Sequence, residues 1–179
     1  RSSDLGVRIG QLKGDDYYVQ TVDNPQVFTV KKFGLETVAH IPQDVRDKSI
    51  LSLKSDQIES VTVVQGADVV SIKSVDKSWK SDKLPDADEA KLKQVVDGFD
   101  GIAGTGFLSP DAPELKSLTT PKATITVKPK TGAPVVLKVG DSRGDDFAVQ
   151  KVGQDAMWVR KLQVERLLKK PAELAKDKK

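Results

Sequence analysis

Apolar and polar residues alternate along most of this chain, in short runs broken by turn residues. Val7 to Gly10, Tyr17 to Val22 and Val27 to Val30 carry the period-two spacing of strands, with Asp23-Asn24-Pro25 as a turn before the third. Residues 7–30 therefore predict an antiparallel meander. Phe33, Leu35, Val38 and Ala39 predict one or two helical turns, ended by His40-Ile41-Pro42. Ile58, Val61 and Val63 lie on one side of Gln65-Gly66-Ala67-Asp68, and Val69, Val70 and Ile72 on the other, a hairpin pattern. Ser78-Trp79-Lys80 reads as a third, edge strand with Trp79 over the sheet. Leu92, Val95, Val96, Phe99, Ile102 and Ala103 fall on one helical stripe. Asp86 with Glu89 three residues on predicts its N-cap and capping box, and Gly101, Gly104 and Gly106 predict its end. Ala123 to Val127 and Val135 to Val139 predict another hairpin, followed by strands at 147–152 and 157–160. Leu162, Val164, Leu167 and Leu168 predict a short helix, and Ala172 to Lys179 a solvated tail. The expected fold class is α+β: antiparallel sheets of meanders and hairpins, each packed by one longer helix.

The pattern also returns on itself. Gly14-Asp15-Asp16-Tyr17-Tyr18-Val19-Gln20 reappears as Gly144-Asp145-Asp146-Phe147-Ala148-Val149-Gln150. From Gly10 to Val22, seven of thirteen positions are identical to those 130 residues later, and Asp47-Lys48 matches Asp177-Lys178 at the same spacing. The expectation is a tandem repeat with a period of about 130 residues. Residues 1–54 would be the back part of one unit and 55–179 a nearly complete second unit. Residues resembling 55–130 are expected upstream in the natural protein.

Composition narrows the chemistry. There is no cysteine, so disulfides, thiolate nucleophiles and Cys-ligated metals are excluded. Of the net charge of +3, the last twenty residues carry +5, leaving −2 on the rest; with aromatics at 5%, no nucleic-acid partner is expected. No run of 18 apolar residues is present. Asp15, Asp16, Asp145 and Asp146 are the candidate ligands for a divalent cation such as calcium, because Gly-Asp-Asp in a hairpin can present paired carboxylates. Glycine with positive φ and aspartate bonded to its own backbone are equally what a turn requires, and that reading outweighs the metal one. His40 is the only histidine, and no Gly-x-Ser-x-Gly accompanies it. Asp86, Asp88 and Glu89 suit a helix N-terminus better than glycoside hydrolysis. Gly104-Thr105-Gly106 lacks the third glycine of a dinucleotide loop and follows a helix. Trp79 and Trp158 read as core residues, not a sugar platform. No catalytic residue and no cofactor are expected.

Several segments resemble, in their order, a bacterial family known as domain of unknown function 4340. They are Val45-Arg46-Asp47-Lys48-Ser49-Ile50-Leu51, the paired strands ending at Trp79, Pro85 with the Asp86/Asp88 helix start, and the Leu92/Val95/Val96 helix. The glycine turn before a Tyr-Val or Ala-Val strand is also similar. The resemblance implies a domain tethered by an N-terminal transmembrane helix on the periplasmic side of the cytoplasmic membrane. It also implies a neighbourhood of ABC-transporter components of the gliding-motility type, and it supplies no catalytic or binding residues. The expected function is a non-enzymatic, extracytoplasmic interaction or scaffold domain with a protein partner, touching the membrane only through such a tether. The alternative is a hydrolase or divalent-metal-dependent enzyme whose site lies partly upstream.

Overall fold

The computed structural model describes residues 6–38 and 46–176. It divides into two compact units, Arg1–Arg46 and Asp47–Lys179. The sequence places the boundary at residue 54. Residues 47–54 fold with the second unit because Ile50 and Leu51 are buried in its core and their strand pairs there.

The first unit is a three-stranded antiparallel sheet, β1 (Val7–Lys13), β2 (Asp16–Thr21) and β3 (Val27–Lys31), followed by helix α1 (Lys32–Val38). Gly14 opens the two-residue β1–β2 loop at φ +64°, a conformation that favours glycine. A bulge between Ile9 and Leu12 bends β1. The expected meander is present. The helix expected from Phe33 onward is there too, with Ala39 lying outside the described residues.

The second unit is built on an eight-stranded antiparallel sheet. Its strands are β5 (Ile58–Gln65), β6 (Asp68–Val75), β7 (Ser78–Lys80), β9 (Gly106–Phe107), β10 (Ala123–Pro129), β11 (Val135–Arg143), β12 (Asp146–Lys151) and β13 (Met157–Arg160). The spatial order is β7-β6-β5-β10-β11-β12-β13-β9. A small pair, β4 (Ser49–Leu51) with β8 (Ile102–Ala103), stands apart from it. Helices α2 (Glu89–Asp97), α3 (Lys161–Leu167) and α4 (Pro171–Leu174) complete the unit with two 3-10 turns, Ser55–Gln57 and Pro113–Leu118. With 45% of residues in strands and 20% in helices, the fold is mostly antiparallel sheet with a few helices.

One face of the sheet forms the main core. Ile58, Val61, Val63, Ile72, Ile125, Val127, Leu137, Val139, Val149 and Val159 pack there with Leu92, Val95, Val96 and Phe99. Alternation fixes this face, since each strand sends every second residue inward. A smaller core lies elsewhere on β12 and β13, where Leu108 and Leu118 pack on Ala148, Ala156 and Trp158. The 3-10 turn comes so close that a Cβ on Gly140 would sit 2.2 Å from Ser117 Oγ.

The helix at 89–97 departs from expectation at both ends. Asp88, not Asp86, is the N-cap; its carboxylate accepts from Ala90 N at 2.8 Å and Lys91 N at 3.2 Å. Residues 86–88 are held against the C-terminal segment: Lys176 N donates to Asp86 O, Asp88 N donates to Leu174 O, and Ala87 bridges Ala175. Glu89 is therefore the first helical residue, and its carboxylate accepts from Trp79 N at 3.4 Å. The helix stops at Gly98, where a Cβ would meet Leu167 Cδ2 at 2.9 Å. Ile102 and Ala103 leave the helical stripe to form β8, after Gly101 turns the chain at φ +76°. The solvated tail is also corrected: Leu174 is 1% exposed and α4 docks it into the main core. Asp177 to Lys179 lie outside the described residues.

Candidate functional site

The Gly-Asp-Asp turns are where sequence reasoning placed its only candidate ligands, and in both the second aspartate faces a cation on the next strand. Asp16 pairs with Lys31 Nζ at 2.8 Å; Asp146 faces Arg160 Nε at 3.8 Å and accepts from Thr105 Oγ1 at 3.2 Å. The Asp15 and Asp145 carbonyls accept from Lys32 N and Lys161 N, each at 2.8 Å. These bonds tie each turn to the start of the helix that follows. The hydrogen bond and charge of Asp16 raise the exposed Lys31 ammonium above its ordinary range. Among the described residues no three His, Cys, Asp or Glu side chains converge as a metal site. Asp15 and Asp145 thus sit in the turns through their carbonyls, and Asp16 and Asp146 face a cation of the next strand. His40 lies outside the described residues.

The other sequence candidates are structural in their contacts. Asp88 caps α2, and Trp79 and Trp158 are 7% and 8% exposed. Arg143 stacks over the Trp158 ring at 4.5 Å from its centroid, a cation–π contact. Gly104 N and Thr105 N donate to Lys48 O and Trp158 O, so this glycine-rich stretch links the two sheets of the second unit. A Cβ on Gly104 would meet Met157 at 2.9 Å.

An opening of about 500 Å³ lies between α2 and the C-terminal helices, with Lys91, Asp97, Arg166, Lys169 and Glu173 at its rim and Val95 and Leu174 beneath. Glu173 is committed to the helix cap. Lys170 N donates to it at 2.8 Å and Lys169 Nζ at 3.2 Å, and the backbone bond foremost holds its carboxyl below the ordinary range. Sequence reasoning missed this cleft, because its two walls are some 70 residues apart in the chain and no local pattern joins them.

The feature with most bearing on interaction is the apolar face of the first unit. Its meander follows the second unit's β11–β13 pair by pair. Val7↔Thr21, Arg8↔Gln20, Ile9↔Val19, Leu12↔Tyr17 and Lys13↔Asp16 correspond to Leu137↔Lys151, Lys138↔Gln150, Val139↔Val149, Ser142↔Phe147 and Arg143↔Asp146. Both have the bulge at the same place. Val22 N donates to Gly6 O at 2.8 Å, as Val152 N does to Val136 O at 2.9 Å. The next turn is one residue shorter in the second unit: Val19 pairs with Phe28, but Val149 with Met157. From there the spacing is 129, which matches Lys32 to Lys161 at the helix starts. The Asp47-Lys48 match at a spacing of 130 is therefore out of step with the strands that precede it, and Asp177 and Lys178 are outside the described residues.

Corresponding residues differ sharply in burial. Val7, Ile9 and Phe28 are 52%, 48% and 44% exposed, whereas Leu137, Val139 and Met157 are 1%, 1% and 4% exposed. In the second unit β10 covers the outer edge of β11; in the first, β1 is an edge strand of its sheet.

Comparison with curated proteins and with solved structures returned no match. A family model described as Domain of unknown function (DUF4340) matches residues 5–121, about two thirds of the chain, from the first meander to the 3-10 turn over β11 and β12. The chain belongs to that family.

Proposed function

We propose that this chain is built from copies of one β-rich unit, repeating from Val7 to Leu137, and works as a non-enzymatic interaction or scaffold module. Its place would be the outer side of the cytoplasmic membrane, with a protein partner from an ABC-type transport or gliding-motility complex. The observation that carries the reading is the repeated register, with one bulge, one glycine turn and one turn-to-helix hydrogen bond shared by both meanders. Independent sequences that merely favour strands have no reason to share a bulge position, whereas copies of one unit do. A unit whose copy ends in an open sheet edge and an apolar face is suited to assembly by strand addition. The extracytoplasmic placement and the transporter partner follow from what the family resemblance implies.

The test compares two variants in cells deleted for the gene. Asp15→Asn with Asp145→Asn removes the charge of the first carboxylate in each turn; Ile9→Lys with Phe28→Lys charges the apolar face. Under the scaffold reading the carboxylate variant restores whatever transport or motility defect the deletion produces, and the face variant does not. The reverse pattern would favour a metal-dependent enzyme. Calcium titration followed by thermal melting checks the same point, with no shift in midpoint expected for the native chain.

A further inference from the structure

We infer that the outer edge of β1 and the apolar face carrying Val7, Ile9 and Phe28 form a docking surface for a unit of the same kind, which adds an antiparallel strand like Ala123–Pro129. This rests on the proposed repetition and specifies what completes the first copy.

The interface is one the molecule already makes. In the second unit β10 pairs along β11 with Ala123↔Val139, Thr124↔Lys138, Ile125↔Leu137 and Val127↔Val135. Carried to the first unit, where Val7 and Ile9 stand in place of Leu137 and Val139, the incoming strand sets an alanine against Ile9, a threonine against Arg8 and an isoleucine against Val7. Apolar residues then meet on one face and polar residues on the other, which is the alternation a buried strand needs. The backbone of β1 offers the hydrogen-bonding groups, because an edge strand leaves every second N–H and C=O unpaired.

The occupant must also bring a helix. In the second unit Leu137 and Val139, each 1% exposed, belong to one core with Leu92, Val95, Val96 and Phe99 of the α2 region. In the first unit Val19 at the middle of this face is buried, but Ile9 and Phe28, paired on either side of it, stay 48% and 44% exposed. A strand alone would satisfy the edge and leave Phe28 wet. A unit with the pattern of residues 58–129 satisfies both, so a like unit is favoured over an isolated extended peptide. The match of the two edges also argues against simple self-pairing of β1. Gly10 and the bulge after Ile9 fit β1 to the partner that its counterpart takes, and two copies of β1 would set Arg8 and Lys13 of each strand along one short ladder.

The experiment places residues 47–134 of this sequence directly ahead of Leu5, so that a front half precedes the first meander as it precedes the second. Hydrogen exchange is followed at the amides of Val7 to Lys13 in the extended chain and in the chain 1–179, with the strands of unit 47–179 as the internal control for folding. Exchange of the Val7–Lys13 segment is expected to slow by about 100-fold on extension. Ile9→Lys should return it to the rate of the unextended chain while leaving the control strands protected. Unchanged exchange in a chain whose control strands are protected overturns the proposal. So does concentration-dependent dimerisation of the chain 1–179 that protects β1, which would assign the edge to a second copy by self-pairing. The repetition itself is tested separately by nuclear Overhauser contacts across Val7/Thr21 and Tyr17/Val30 in the chain 1–179. If they are present while β1 stays unprotected on extension, the docking inference falls and the repetition stands; if they are absent, the repetition falls first.

Discussion

The meander at residues 7–31 and the one at 137–160 share a register, a bulge and a glycine turn, yet Ile9 is 48% exposed and Val139 only 1%. Local sequence accounts for what they share. Alternation sets which residues point to which face, and Gly14 and Gly144 set the turn. What they do not share comes from the neighbours. Val139 has β10 beside it and α2 among its core partners, and Ile9 has neither in its unit. Burial of a side chain of this size contributes about 1.5–3 kcal/mol, so the first unit holds unrealised apolar stabilisation that the second has already used. The aromatic residues allow the two to be read apart, since Tyr17 and Tyr18 lie in the first unit and Trp79 and Trp158 in the second.

The comparison breaks most sharply under charge. Val139→Lys buries an ammonium without a partner and is expected to cost at least about 3 kcal/mol, read as a fall in the urea midpoint by Trp fluorescence. Ile9→Lys should change the first unit by no more than about 0.5 kcal/mol, read by Tyr fluorescence. Equal costs would mean that Ile9 is as buried as its counterpart.

The next largest contrast is between Gly140 and Gly10. Gly140→Ala drives a methyl into Ser117, whose hydroxyl donates to Glu114 O at 2.5 Å and accepts from Asp141 N at 2.8 Å. A loss of about 1–3 kcal/mol is expected in the Trp-detected transition. At Gly10 the nearest atoms are Tyr18 Cβ and its carbonyl oxygen at 3.4 Å, so Gly10→Ala should stay within about 0.5–1 kcal/mol of neutral.

Smaller effects sharpen the account of the second unit. Asp88→Ala should cost about 1 kcal/mol by removing the cap of α2, whereas Asp86→Ala should cost under about 0.5 kcal/mol. Thermal melting of the pair decides which aspartate starts the helix. The β6–β7 turn places Asp76 at φ +48° and Lys77 at φ +67°, and neither is glycine. Lys77→Gly is expected to stabilise by about 0.5–1 kcal/mol, seen as a raised melting midpoint.

The smallest effect concerns pH. The Glu173 carboxyl is held below its ordinary value of 4.5, chiefly by the backbone N–H of Lys170. A group whose folded value is lowered contributes above its unfolded value and loses that contribution as pH falls through the folded one. On acidification from about pH 6 to about pH 3 the native chain should therefore lose slightly more stability than Glu173→Gln. Parallel denaturation curves at the two pH values measure the difference.

The candidate residues were legible to different depths. The Gly-Asp-Asp turns stand out because a rare local conformation demands glycine, and the structure puts both at hairpin turns. The β6–β7 turn was harder to see, since Asp76-Lys77 enters the left-handed region without glycine. The α2 start is displaced by two residues because Asp86 and Asp88 are equally good caps in isolation, and only contact with residues 174–176 keeps residues 86–88 out of the helix. Ile102 kept helical spacing but joined a strand, since Gly98 ended the helix against Leu167 and β4 offered a backbone partner.

Taken alone, the order of residues determined the strands of the meanders and of the longer hairpins, their glycine turns, the antiparallel class and the recurrence of one pattern, because all of these follow from side-chain alternation and φ preference within a few residues. The tertiary structure decided where the units divide, which aspartate caps α2, that Leu174 is core and not tail, and that one meander is covered while its likeness is open. Each of those depends on which distant segment reaches a surface first, and a contact between residues far apart in the chain leaves no periodic trace in either of them.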